Sequence, residues 1–141
     1  MQNEKMAMSR KQITVEVPMV TNEITDNCIY SGLFGSIDSA RMNEVSQKII
    51  TLCESKEINI AIIDLANVDA IDTAVAGHLN RLGLTLKLVG IDIIICGIAS
   101  DLAYTMVQAG INLSELIIVR NLKQALQVSF KMSGYDLVKQ S

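Results

Sequence analysis

The sequence predicts an α/β domain, on three observations. Two near-continuous apolar runs, "INIAIIDLA" from Ile58 and "IDIIICGI" from Ile91, have the composition of strands buried on both faces of a sheet. Segments with apolar residues at helical spacing stand between and after them. The resulting order, β-β-α-β-α-β-α-β-α, implies right-handed crossovers onto a mostly parallel sheet, made mixed by a hairpin at its start. With 141 residues there is room for one core and too little for two. The expectation is a single domain of about five strands and about four helices, with residues 1–12 a flexible tail, 13–133 the domain and 134–141 a second tail.

Each element has its own signal. "ITVEVPMV" from Ile13 alternates as a half-buried strand does, with Pro18 confining it to an edge or an end. A polar turn from Asn22 to Asn27 leads to "CIYSGLFG", close enough to pair with it as a hairpin. Met42, Val45, Ile49 and Leu52 then mark one face of a helix from Asp38 to Ser55. Ile58 begins the central strand. Val75, Leu79, Leu82, Leu86 and Val89 trace a helix from Thr73 to Val89, with Gly90 placed for a left-handed cap. After the strand at Ile91 come a short helix, opened by Ser100 and closed by Gly110, a strand in "SELIIVR", and a helix opened by Asn121.

Composition removes several classes of function. The formal charge is −3, and the one basic cluster is Arg10 with Lys11, too little for a counterion-displacing grip on nucleic acid. Two Phe, three Tyr and no Trp make a stacking platform for single strands implausible. No run approaches the roughly 20 apolar residues that span a bilayer, and "MQNEKMAMSRKQ" lacks a signal peptide's apolar core. A cytoplasmic protein with no membrane partner is expected. Cys28, Cys53 and Cys96 show no CxxC spacing and read as ordinary buried thiols rather than a disulfide framework or zinc site.

The acidic residues Asp64, Asp69 and Asp72 lie near a strand end, where α/β sheets place ligands. Their spacing matches neither the acidic pair of a receiver domain nor the paired aspartates of a haloacid-dehalogenase nucleophile, so no metal is expected. His78, the only histidine, reads as a polar residue on a helix flank. With no Walker loop and no GxGxxG, no nucleotide or other cofactor is expected, and neither is an enzyme. In "VDAIDTAVAGH", Thr73 opens a helix, where unpaired N–H groups and the positive end of the macrodipole favour a phosphate. Judged by position alone, simple capping is the favoured role for Thr73.

The segments "IIDLANVDAIDTAVAGHL", "KLVGIDIIICGIASDLAYTMVQAGINLSEL" and "NLKQAL" together resemble the STAS family (sulfate transporter and anti-sigma factor antagonist domains), above all the RsbR and RsbS scaffold proteins of the bacterial stressosome. The likeness covers roughly residues 13 to 130. It implies a STAS-type fold and a non-enzymatic switch in which Thr73 is the phosphoacceptor of a serine/threonine kinase of the RsbT type, reversing the odds on its role. It further implies Thr105 as a second acceptor, a partner surface of Asp69, Asp72, Thr73, Val75 and Ala76, and homo- or hetero-oligomers with other STAS scaffolds. The length is closer to RsbS, whereas "GSIDSAR" and the threonine acceptor are more similar to RsbR. The rival readings are a small-ligand-binding or anion-sensing domain, with Asp64, Asn67 and Asp69 around a pocket, and the cytosolic part of an anion transporter.

Overall fold

A computed structural model describes residues 17–112 and 114–140. The expected tail 1–12 and the start of the first expected strand, residues 13–16, lie outside the described residues. The strands are β1 (Met19–Thr25), β2 (Cys28–Ile37), β3 (Ile60–Ile71), β4 (Asp92–Cys96) and β5 (Ile117–Ile118). The helices are α1 (Ser39–Ser55), α2 (Thr73–Leu88), α3 (Ser100–Gln108) and α4 (Leu122–Met132). The sheet order is β1-β2-β3-β4-β5, with β1 antiparallel to β2 and every later pair parallel.

That order explains the layers. Successive right-handed crossovers that always step in one direction put α1, α2 and α3 on the same face. There Met42, Val45, Ile49, Leu79, Leu86, Leu102 and Met106 bury against Ile29, Leu33, Ile63 and Ile95. α4 follows the last strand and covers the opposite face, closing Cys28, Ile60, Ile62, Ile94 and Cys96 beneath Ala125. The sheet is therefore buried on both sides at its centre, as the isoleucine-rich runs require.

Several boundaries move. β1 continues to Thr25, so the turn expected from Asn22 shrinks to Asp26 and Asn27. Its polar residues are tolerated because the strand is an edge with little to bury. Neither turn residue has a positive φ, so the turn lacks the twist of the primed hairpins, and an irregularity between Glu23 and Thr25 absorbs the mismatch. Asp38 is the N-cap of α1, accepting from the Arg41 N–H at 2.8 Å. Val89 caps the end of α2 and is exposed, not in the core, with Gly90 left-handed beyond it at φ 83°. Ser100 is not the cap of α3: the cap position is Ala99, which has no side-chain bond to give. Asn121 does cap α4, accepting from the Gln124 N–H at 3.0 Å.

The largest difference is in β3. Its pairing with β4 stops at Asp64 opposite Cys96, but its pairing with β2 runs on to Ile71. From Gly32 to Phe34 β2 advances two residues while β3 advances three, Asp64 to Asn67, and a second slip follows at Gly35 and Ser36. Each slip is an extra residue on β3, and bulges of this kind bend a strand and raise its twist. Bent this way, β3 leaves β4, and the two strands fork. Gly35 sits at the second slip with φ 78°, a conformation that costs a residue with a Cβ far more.

Candidate functional site

Asp64 occupies the fork. Its Oδ2 accepts the Tyr30 hydroxyl at 2.8 Å and its Oδ1 accepts the Ala66 N–H at 3.0 Å, so a nearly buried carboxylate ties β2 to the point where β3 departs. Burial, aided by the bond to Asp64, raises the Tyr30 phenol to about 12. Burial and then the Asp64 charge raise the Cys96 thiol to about 12 as well. Gly97 closes the fork from the β4 side. A Cβ there would meet the Ala66 nitrogen and Asp64 Oδ1, each at 2.7 Å, and its φ is 75°. A larger residue would force the fork open.

Beyond the fork the bent strand delivers Asp69, Asp72 and Thr73 to the surface; all three are exposed. Asp72 is the N-cap of α2, with φ −88° and ψ 175°, and its Oδ1 accepts the Val75 N–H at 2.8 Å. The Ala76 N–H bonds the Asp72 carbonyl at 3.1 Å, the first turn of the helix. Capping is thus the task of Asp72. Thr73 is the first helical residue, with its side chain in solvent and a first turn whose leading N–H groups have no intrahelical acceptor.

The other candidates separate. Val75 and Ala76, expected on the partner surface, are fully buried in the core; a helix that starts at Thr73 turns its third and fourth residues toward the sheet, and Ala74 is exposed in their place. Thr105 is half-buried in α3, and its hydroxyl donates to the Asp101 carbonyl at 3.0 Å. It faces a crevice of about 110 Å³ between α3 and the bent part of β3, which Asp69 and Asp101 also line. His78 Nδ1 accepts from Arg81 Nη2 at 3.0 Å, one turn along the same helix, so its partner is not Thr73. The crevice beside α3 that Asp69 lines includes neither Asp64, which is bonded to Tyr30 and Ala66, nor Asn67.

The three cysteines are free and buried. Among the described residues no group of three or more His, Cys, Asp or Glu side chains could hold a metal, and no helix is long and apolar enough to cross a membrane. Tyr30 and Gly97 are the site residues that sequence reasoning misses. A glycine directly after a buried strand was the available signal for Gly97; for Tyr30, 34 residues from its partner, there was none.

The site as a whole is an exposed threonine behind an aspartate cap at the start of a helix, presented by a mixed five-stranded sheet. Residues 19–127 match the model of the STAS domain, and the chain belongs to that family. It is similar to the RsbT co-antagonist protein RsbRA of Bacillus subtilis (strain 168), at 26% identity over 135 residues covering 96% of this chain and 49% of that protein. The chain thus spans about half the length of the curated relatives it matches. Among solved structures it resembles an RsbS variant from Moorella thermoacetica, with a TM-score of 0.70 at 17% identity over 84% of this chain and 98% of that one. It also resembles a chain from a structure of the stressosome, a signal integration and transduction hub, with a TM-score of 0.63 at 17% identity over 82% and 98%. Likeness at these identities is likeness of fold.

Proposed function

We propose that the chain is a non-enzymatic, phosphorylatable scaffold of the anti-sigma factor antagonist type, which binds a serine/threonine kinase of the RsbT type in one state of Thr73 and releases it in the other. It works in the cytoplasm, in assemblies with other STAS scaffolds. The observation that carries this reading is the division of labour at the start of α2: Asp72 makes the capping bond, and the Thr73 hydroxyl stands exposed beside it. The similarity to an RsbT co-antagonist supports the choice of partner.

Phosphorylation adds a charge of roughly −1.5 to −2. The open N–H groups and dipole of the first turn attract it, while Asp69 and Asp72 repel it. The helix stays folded while the potential of its exposed end changes sharply. Shifting a binding equilibrium a hundredfold takes only ~2.7 kcal/mol, within reach of a dianion facing an interface. The docking surface is Asp69, Asp72, Thr73 and the exposed Ala74. Thr105 is the second acceptor in this proposal, and it must give up its bond to Asp101 before it can receive a phosphate.

The test is capture of the cognate kinase by the wild type, Thr73→Ala and Thr73→Glu, with mass spectrometry of the chain after incubation with that kinase and ATP. The expected result is phosphate on Thr73 and kinase capture that differs between Ala and Glu. Equal capture by all three chains, with no phosphate on Thr73, would defeat the proposal.

A further inference from the structure

The groove between α3 and the outer end of the sheet is open and apolar. It has a volume of about 480 Å³, and its walls include Met106, Val107, Ile118 and Val119. Val107 is 69% exposed, and Tyr104 beside it on α3 is 67% exposed. Its single ionisable wall residue is Arg120. Among the described residues the guanidinium of Arg120 has no partner. A complementary occupant is an extended apolar segment with one carboxylate.

This chain carries such a segment at its other end. After α4 the backbone turns back, with the Tyr135 N–H bonded to the Phe130 carbonyl at 2.8 Å and the Tyr135 ring edge-on to Phe130 at 6.4 Å. Leu137 and Val138 project beyond that anchor, 64% and 80% exposed, next to Asp136. The segment does not fill its own groove. Within its own chain Tyr135, Asp136 and Leu137 lie against Thr25, Asp26 and Phe130 and beside Gln127 and Lys131, none of which lines the α3 groove.

We infer that the segment Tyr135–Val138 of one copy docks in the α3–β5 groove of a second copy, with Leu137 among the apolar walls and Asp136 against Arg120. Exchange of segments between two copies makes a closed pair. The association is independent of the state of Thr73, which lies on another helix. It buries the exposed side chains of both surfaces at once, and the charge pair sets the register.

Sedimentation equilibrium over a concentration series tests this, using the whole chain as wild type, Arg120→Glu, Asp136→Arg and the double variant, with circular dichroism of each. The wild type is expected to associate reversibly above its monomer mass of 15.4 kDa. Each single reversal should weaken association roughly tenfold or more, and the double variant should recover it. A Val107→Cys chain mixed with a Leu137→Cys chain should also give a mixed disulfide under mild oxidation. A wild type that stays monomeric, an association that ignores both single reversals, or a double variant no better than the singles would overturn the inference.

Discussion

Two threonines in this molecule are candidate acceptors, and they stand at different places on their helices. Thr73 directly follows Asp72 at the start of α2, Thr105 stands four residues after Asp101 within α3, and both helices succeed buried strands. Asp72 spends its carboxylate on the Val75 N–H, which leaves the neighbouring hydroxyl exposed. Thr105 sits one turn into its helix, where a hydroxyl can bond back to the carbonyl four residues earlier, and it does. The contrast teaches that the place of a hydroxyl along its helix decides whether it is presented, as at the first helical residue, or consumed, as beyond the first turn where a carbonyl four residues earlier is in reach.

Gly97→Ala should have the largest effect. A methyl group there meets backbone and a carboxylate at 2.7 Å in a left-handed conformation, so a loss of about 3 kcal/mol is expected in urea denaturation. The fork that holds both threonine segments in place would loosen. Next comes Asp72→Ala, which removes the cap and should cost about 1 kcal/mol, whereas Thr73→Ala should change stability by less than about 0.5 kcal/mol. If the two costs were reversed, Thr73 would be the cap and the contrast would vanish.

The alkaline limb sharpens the picture of the fork. The Tyr30 phenol is raised from 10.0 to about 12 in the folded chain, so the protonated form is favoured by folding. Its contribution is fully present below pH 10 and is lost as pH climbs through about 12. Thermal melts of wild type and Tyr30→Phe between pH 8 and pH 12 should converge at the alkaline end, because the variant has lost the bond already and has nothing there to titrate. Ser31→Ala should do least. Its hydroxyl is buried in the core and has no partner among the described residues, so the change should be neutral or stabilising by about 1 kcal/mol in the same denaturation assay.

Much of this architecture is legible in the residues. The buried strands declare themselves by unbroken isoleucine-rich runs, and α2 by the spacing of Val75, Leu79, Leu82 and Leu86. That same spacing puts Val75 in the core, which argues against its place on a partner surface. The extension of β3 is hidden because "NVDAID" alternates too weakly to read as a strand; it is one only because β2 lies alongside. β5 reads as a seven-residue strand and keeps two, Ile117 and Ile118 in register with Ile94 and Ile95, and past them the pairing dwindles to single backbone bonds from the Val119 N–H to Ile95 and from the Gly97 N–H to Arg120. The bond from Tyr30 to Asp64 is a product of the parallel register of β2 and β3, which no local pattern specifies.

The most direct measurement is site-resolved mass spectrometry of the chain after limited exposure to its kinase and ATP, reading Thr73 and Thr105 separately. Phosphate appearing first and most fully on Thr73, with Thr105 lagging, is what the exposed and back-bonded hydroxyls predict. Phosphate on Thr105 ahead of Thr73, or on neither, would contradict the account.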